Sequence, residues 1–234
     1  MILGKTAKGS CAYLGGLPAV LEKFSWSWAD MLLYSNEYMC GPSEYIHRLK
    51  ATVSEHAQAR TGLTRQFLGD WLLMVDADHA FEPDLCARLV GILEKYDLDV
   101  LSGIYTYKVP PYAPTLYDWD PVNEHFTVKT DWPGFNQPRD KDKPYFEIGC
   151  AGAGTLLVRR RVFLRIEQEL KQGSFDTFGP WEEDFAFFRR CVMLGIKCHA
   201  ATDVQSHHLE VNPLSLDNFD RAVMPQVAAG GAVA

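Results

Sequence analysis

The run WLLMVDADHAFEPD, Trp71 to Asp84, carries five largely apolar residues straight into two carboxylates, Asp76 and Asp78, and then a histidine, His79. Aspartate is a poor strand residue and is costly to bury unpaired, so a cluster of this kind at the end of an apolar run needs solvent or a positive partner. A divalent cation suits the pair. Two carboxylates at i and i+2 can turn toward one cleft once the chain leaves the pleat, and their hard oxygens favour magnesium or manganese, ions that bridge to substrate phosphates. A diphosphate would supply the remaining ligands. A second acidic group, Glu182, Glu183 and Asp184 in FGPWEEDFAFF, stands just before a helical pattern, and His207 and His208 follow a later strand-like segment in VQSHH. The acidic trio reads equally as a helix N-terminal cap, and either histidine alone as an exposed loop residue; their place about one β-α unit after the trio raises the functional reading.

Other chemistries fit the spacing worse. A calcium-binding EF-hand loop needs an oxygen ligand where Ala80 stands and a turn glycine where Phe81 stands. GAGTLL at 152–157 begins like a dinucleotide fingerprint but has Leu157 at the final glycine position, and GKT at 4–6 lacks the upstream glycine of a phosphate loop. An aspartyl phosphatase built on Asp76 and Asp78 lacks an obvious partner lysine and acidic loop motif.

The elements that must position these residues alternate. MIL (1–3) and MLLY (31–34) look like strands around a helical segment near LPAVLEKF, and Pro42-Ser43 opens a helical stripe of Ile46, Leu49, Val53, Ala57, Arg60 and Leu63. WLLMV is the next strand, a helix from Pro83 carries Leu85, Leu89, Ile92 and Leu93, and DVLSGIYTY is a further strand. This β-α-β-α-β-α-β order implies a mostly parallel central sheet with helices on both faces, where ligands bind beyond the carboxyl ends of the strands. From Lys108 to Glu147, prolines and aromatics replace periodic apolar residues, as in a substrate-covering excursion or an exposed loop packed by its own rings. GAGTLLV (152–158) then reads as a strand, 160–171 and Asp184–Met193 as helices, the second ended by Gly195, and IKCHA as a strand. The tail PQVAAGGAVA (225–234) has too little to pack and is expected to be disordered.

At 234 residues, with 47% hydrophobic residues, the chain can bury the core of one α/β domain. A net charge of −7 gives no general attraction to nucleic acid or an anionic membrane, although a local basic patch stays open, RRR at 159–161 being one candidate. Six cysteines without any C-x-x-C pair read as reduced thiols of a cytosolic protein, not as disulfides or a zinc site. No stretch approaches 18 consecutive apolar residues, so a soluble cytoplasmic protein without a membrane partner is expected. The sequence carries no signal of oligomeric state.

Taken in order, the motifs resemble the glycosyltransferases of the GT-A fold, particularly the inverting, family-two-like members. The resemblance runs from SEHAQARTGL to HHLEVN. WLLMVDADHAFEPD is similar to the family's Asp-x-Asp segment, LSGIYTYKVPPYAPTLY to its following strand and acceptor-side loop, GCAGAGTLLVRRRVF to its small-residue strand, and WEEDFAFFRRCVMLGIK to its Glu-Asp helix. It implies a GT-A, Rossmann-like domain over 1–224, with a nucleotide-sugar half (1–107) and an acceptor and catalytic half (108–224). By the same resemblance Asp78 binds Mn2+ or Mg2+, Asp76 contacts the metal or the donor ribose, and His208, or else His207, is a third metal ligand. Asp184 is the implied catalytic base, with Glu183 next in line. Arg60, Asn36 and Glu37 would contact the donor, and Trp181, Glu182 and Gly152 the acceptor.

The implied activity is metal-dependent, inverting, hexosyltransferase-like transfer from a nucleotide sugar, expected to be uridine-linked. The acceptor hydroxyl would belong to a glycan, a protein or a hydroxymethylated base in DNA, the last held through Arg159, Arg160, Arg161, Arg165, Arg189 and Arg190. Two alternatives are a nucleotide-sugar-binding module that has lost catalysis, and a glycoside hydrolase using Asp184 and Asp78.

Overall fold

The apolar run that ends in Asp76 is strand β3 (Trp71–Asp76), with Trp71 to Val75 all buried. The computed structural model describes residues 4–15, 21–52, 55–140 and 142–209. Before β3 come β1 (Thr6–Gly15), α1 (Glu22–Met39), β2 (Glu44–Thr52) and α2 (His56–Gln66); after it come β4 (His79–Phe81), α3 (Leu85–Lys95) and β5 (Val100–Ile104). The chain continues through β6 (Leu116–Asp120), β7 (His125–Val128), β8 (Tyr145–Ile148), β9 (Cys150–Ala151) and β10 (Thr155–Arg159). It ends, among the described residues, with α4 (Arg160–Arg165), which runs into a π-type turn (Ile166–Leu170), then α5 (Glu183–Met193) and the long β11 (Cys198–His208).

The large sheet has the order β2-β1-β3-β10-β5-β11, with β4 and β8 both pairing to β11. β1 runs parallel to β2 and β3, and β11 parallel to β5, as the alternation implied; β10, between β3 and β5, runs antiparallel to both. That reversal brings the Gly152–Gly154 turn to the carboxyl end of β3, where the Asp76 amide donates to the Gly154 carbonyl at 3.0 Å. Alternate residues of the buried strands serve opposite faces. Leu72, Met74, Leu156 and Val158 join one apolar cluster with Leu63, Phe163 and Phe187, while Leu73, Val75 and Leu157 join another with Phe24, Met31 and Leu89. Both faces being covered, β3 reads as a continuous apolar run, and each such side chain contributes about 1.5–3 kcal/mol.

Two expected elements are corrected. MLLY (31–34) is not a strand but part of α1, whose buried Phe24, Met31, Leu32 and Ser35 recur at helical spacing while Leu33 is exposed. A strand would have put residues 31 and 33 on one face. The stretch after Pro42-Ser43 is not one helix: its first part is β2, an edge strand on β1, and only the part bearing Ala57, Arg60 and Leu63 is helical, in α2. The strand expected at 1–3, the helical residues 17–20, Val53 and the tail 225–234 lie outside the described residues. The other spans follow their expected places, with Gly195 at a left-handed φ of 65° just beyond α5.

The excursion has structure of its own. β7, β6 and β9 form a three-stranded antiparallel sheet, and Trp132 stacks on Phe135 at 4.4 Å between ring centroids. Tyr117 of β6 and Phe126 of β7 pack on Phe185 in the first turn of α5, so the excursion leans against the acidic trio. No described helix is long and apolar enough to cross a membrane.

Candidate active site

Asp76 has a positive partner within the protein. Arg60 of α2, 2% exposed, donates from Nη2 to both Asp76 oxygens at 2.9 and 3.1 Å and from Nη1 to the Ala153 carbonyl at 3.0 Å. Its Nε lies 3.8 Å from Glu183 Oε1. Burial by itself lowers the guanidinium's pKa, but Asp76 and Glu183 outweigh it and raise the value on balance, so the charge is kept. One buried cation therefore ties α2, β3, the turn before β10 and the start of α5.

Asp78 meets a different set. It occupies the turn between β3 and β4, and β4 pairs antiparallel with the end of β11, His79 opposite His208. This pairing sets the two imidazoles 4.4 Å apart, both against the Tyr105 ring. Asp78 Oδ1 is 3.8 Å from His79 Nε2, while Oδ2 accepts from Lys108 Nζ at 2.6 Å. His79 is fully buried, with Nδ1 2.8 Å from Ser206 Oγ and no hydrogen-bond partner at Nε2; His208 Nδ1 is 2.5 Å from the Thr106 carbonyl. Burial pushes His79 down to about 4 and His208 below its ordinary value, so both rings are neutral near pH 7. Burial raises the Asp78 carboxyl, yet Lys108, helped by the imidazoles, holds it below the usual carboxylate range. The metal-ligating atoms of Asp78, His79 and His208 lie within 4.8 Å of one another. A carboxylate, two neutral imidazoles and an orphaned ring nitrogen suit a divalent cation.

At the head of α5 the three acids separate. Glu183 faces Arg60, Glu182 is exposed, and Asp184 accepts from the Phe185 amide at 2.7 Å. Burial first, and then the Glu183 charge, push the Asp184 carboxyl up to about 6. A carboxylate with that value can take a proton near neutrality. Trp181 is half-buried and packs with Phe126 and Phe185 beside the trio.

Several expected site residues fall elsewhere. Asn36 bonds to the Leu32 carbonyl and the Ile46 amide. Ile46 is in register with Gly9 of β1 and Asp76 with Leu14, so Asn36 and its exposed neighbour Glu37 lie near the opposite end of the strands, about 16 Å away along the sheet. Gly152, by contrast, lies in the turn beside the site; it is buried, and a Cβ there would stand 2.0 Å from the Tyr105 hydroxyl, so its smallness lets that turn pack against Tyr105. His207 alternates to the other face of β11 and stays out of the Asp78 cluster.

The six arginines do not form a free basic face. Arg159 donates to the Leu93 and Leu98 carbonyls, and Arg160 to those of Phe67 and Gly69. Arg161 pairs with Asp97 and Asp99, Arg165 with Glu169, and Arg189 with Glu124, while Arg190 is buried over Phe178. Sequence reasoning missed His79, Lys108 and Tyr105. The signal for His79 is weak, an adjacent histidine after Asp-x-Asp, because its partner arrives only through strand pairing.

A mostly parallel sheet carrying an antiparallel strand beside an Asp-x-Asp turn, with an acidic helix start across from it, defines a glycosyltransferase of the GT-A fold. The chain belongs to glycosyl transferase family 2, whose pattern matches residues 36–166, and as such uses a nucleotide sugar. Asp76, Asp78 and His79 fall inside the match, Asp184 and His208 beyond it. No curated protein matches the chain. Among solved structures, A197 from STIV is similar with a TM-score of 0.56 and 16% identity, covering 89% of this chain and 91% of that one. GalNAc-T7, solved with UDP, GalNAc and Mn2+, has a TM-score of 0.56 and 14% identity over 96% of this chain and 48% of its own length. At such identities the likeness is one of fold.

Proposed function

We propose that the protein is a metal-dependent, inverting transferase that moves a sugar from a uridine-linked donor to a hydroxyl of a carbohydrate acceptor. The observation that carries this reading is the gathering of Asp78 and His208 beyond the carboxyl end of β3, where nucleotide donors bind in sheets of this kind. The likeness to a fold relative solved with UDP and Mn2+ supports the choice of nucleotide and metal class. A bound Mn2+ or Mg2+ supplies Lewis-acid charge at the leaving diphosphate. The protein's residues do the rest. Asp78 and neutral His208 hold the cation, Lys108 adds positive charge beside it, and Arg60 fixes Asp76 toward the donor side without itself reaching the donor. Asp184 takes the acceptor hydroxyl's proton, while Trp181 and Phe126 give the acceptor an aromatic wall next to exposed Glu182. In this reading the chain up to about residue 107 holds the donor, joined at the cation by Lys108 and His208, and the rest of the part from 108 onward holds the acceptor. A carbohydrate is favoured over hydroxymethylated DNA because the arginines that would meet a phosphate backbone are already engaged.

Incubation with a panel of nucleotide sugars and Mn2+, with and without chelator, should give donor turnover that the chelator abolishes. Turnover indifferent to chelator would reject the metal-dependent reading. Glycan, protein and hydroxymethylated DNA acceptors run in parallel, with mass spectrometry of the products, should put the sugar on the glycan; glucosylated or otherwise hexosylated nucleosides would move the acceptor to DNA.

A further inference from the structure

His79 is the functional-looking group that the proposed chemistry leaves unused. Its proton can be located from the chain of donors behind it. Thr155 Oγ1 donates to the Gly154 carbonyl at 2.8 Å, so in its 2.6 Å contact with Ser206 Oγ the threonine accepts and the serine donates. With its one proton committed, Ser206 Oγ accepts from His79, and the imidazole must carry its hydrogen on Nδ1. Nε2 is left with a lone pair, fully buried and without a partner. His208 reaches the same state, because the carbonyl of Thr106 only accepts and therefore takes the hydrogen on His208 Nδ1. Asp78 Oδ1 adds a third acceptor 3.8 Å from His79 Nε2. Three acceptors with no donor among them repel one another unless a cation joins them, and both imidazoles have the Nδ1 support that fixes a ligand ring.

We infer that the divalent cation of this enzyme is held by a two-imidazole, one-carboxylate set, Nε2 of His79, Nε2 of His208 and Oδ1 of Asp78, with Asp76 withdrawn from coordination by Arg60. The set rests on the metal-dependent reading above and sharpens it. Two nitrogen ligands move the preference away from Mg2+ toward the later first-row ions such as Co2+ or Zn2+, with Mn2+ between them and Mg2+. Gly154 is part of the device, since a Cβ there would come within 2.8–2.9 Å of the His79 ring atoms.

The test is pulsed electron paramagnetic resonance of Mn2+ bound to the full chain, with and without UDP. Two directly coordinated imidazole nitrogens should appear, and His208→Gln should leave one. His79→Gln should also leave one and weaken Mn2+ by about 10-fold or more. Because the count is made on the unmutated protein, it stands even if His79→Gln fails to fold. Bound Mn2+ with a single imidazole nitrogen, lost in His208→Gln, would overturn the role of His79 while leaving a metal-dependent transferase intact. Absence of Mn2+ binding together with chelator-resistant turnover would overturn both. Equal affinities for Mg2+ and Mn2+ in competition would also count against the two-imidazole set.

Discussion

Asp76 and Asp78 leave the same strand two residues apart, yet one becomes part of a brace around buried Arg60 and the other part of a more exposed rim. Asp76 is held by both ends of its carboxylate to Arg60, which reaches Glu183 and the Ala153 carbonyl as well. Asp78 divides its oxygens between a half-exposed lysine and a pair of imidazoles. The difference comes from the backbone: Asp76 still belongs to the pleat, facing α2, while Asp78 sits in a turn that β4 redirects toward β11. A tandem carboxylate motif thus does not mean two equivalent ligands. One carboxylate braces the acid-bearing helix start, and the other joins the imidazole cluster that the proposed function gives to the cation.

The proposed function puts proton chemistry on the braced side and donor charge on the rim, and mutations can break that division. The largest effect should come from Asp184→Asn, which keeps the shape but removes the base: transfer should fall about 10²–10⁴-fold while donor affinity by calorimetry is unchanged. An unaltered transfer rate would make Asp184 only a helix cap and pass the role of base to Glu183 or Glu182. Arg60→Ala leaves two carboxylates and a carbonyl around an empty site, and urea unfolding should report a loss of about 3–5 kcal/mol. If instead it unfolds like the unmutated chain, the brace carries no weight. Asp78→Ala should leave stability alone and weaken Mn2+ and donor together, by about 10- to 100-fold, with excess Mn2+ restoring part of the activity. Donor binding that ignores this change would detach the diphosphate from the rim.

A pH profile sharpens the same contrast. With Asp184 at about 6, the base is ionised above that pH and protonated below it, so transfer should fall up to about tenfold per unit on the acid side. Glu183→Gln removes a negative neighbour that raises Asp184, and the acid limb should move to lower pH. A limb that stays in place would mean another group controls it. The same shift bears on stability: the folded carboxyl holds its proton to higher pH than the unfolded chain does, so this group's contribution declines as pH rises from about 4 to about 6. The smallest effect is expected at Lys108→Met, where both partners are over a third exposed and the pair is worth less than about 1 kcal/mol. A shift in melting as large as that of Arg60→Ala would erase the distinction between brace and rim.

What the sequence disclosed follows from how local each signal is. The strand over WLLMV, the helix after Pro83 and the helix ended by Gly195 announce themselves through apolar spacing and caps within a dozen residues. MLLY carries too few residues for its period to show, and the helix was settled by packing of Met31 and Leu32 under the sheet. β10 reads as a strand, but its antiparallel direction depends on the whole excursion that precedes it. At the site, Asp78, Asp184 and His208 stand in ordered motifs, and the fold gathers Asp78 with His208 and sets Asp184 in the first turn of α5. The Arg60–Asp76 pair links a helix to a strand sixteen residues on, and the His79–Ser206 contact spans 127, so neither leaves a local trace.

The pairing of β4 with the end of β11 also sets a clock on synthesis. His79 leaves the ribosome long before Ser206, and at about 5–20 residues per second the 127-residue gap corresponds to roughly 6–25 s. Through that interval the nascent chain displays Asp78 and His79 without the strand that brings His208 to them, so the growing polypeptide lacks the three-residue cluster of the finished one. Chains halted before β11 should therefore emerge blind to Mn2+, however much of the sheet they have assembled.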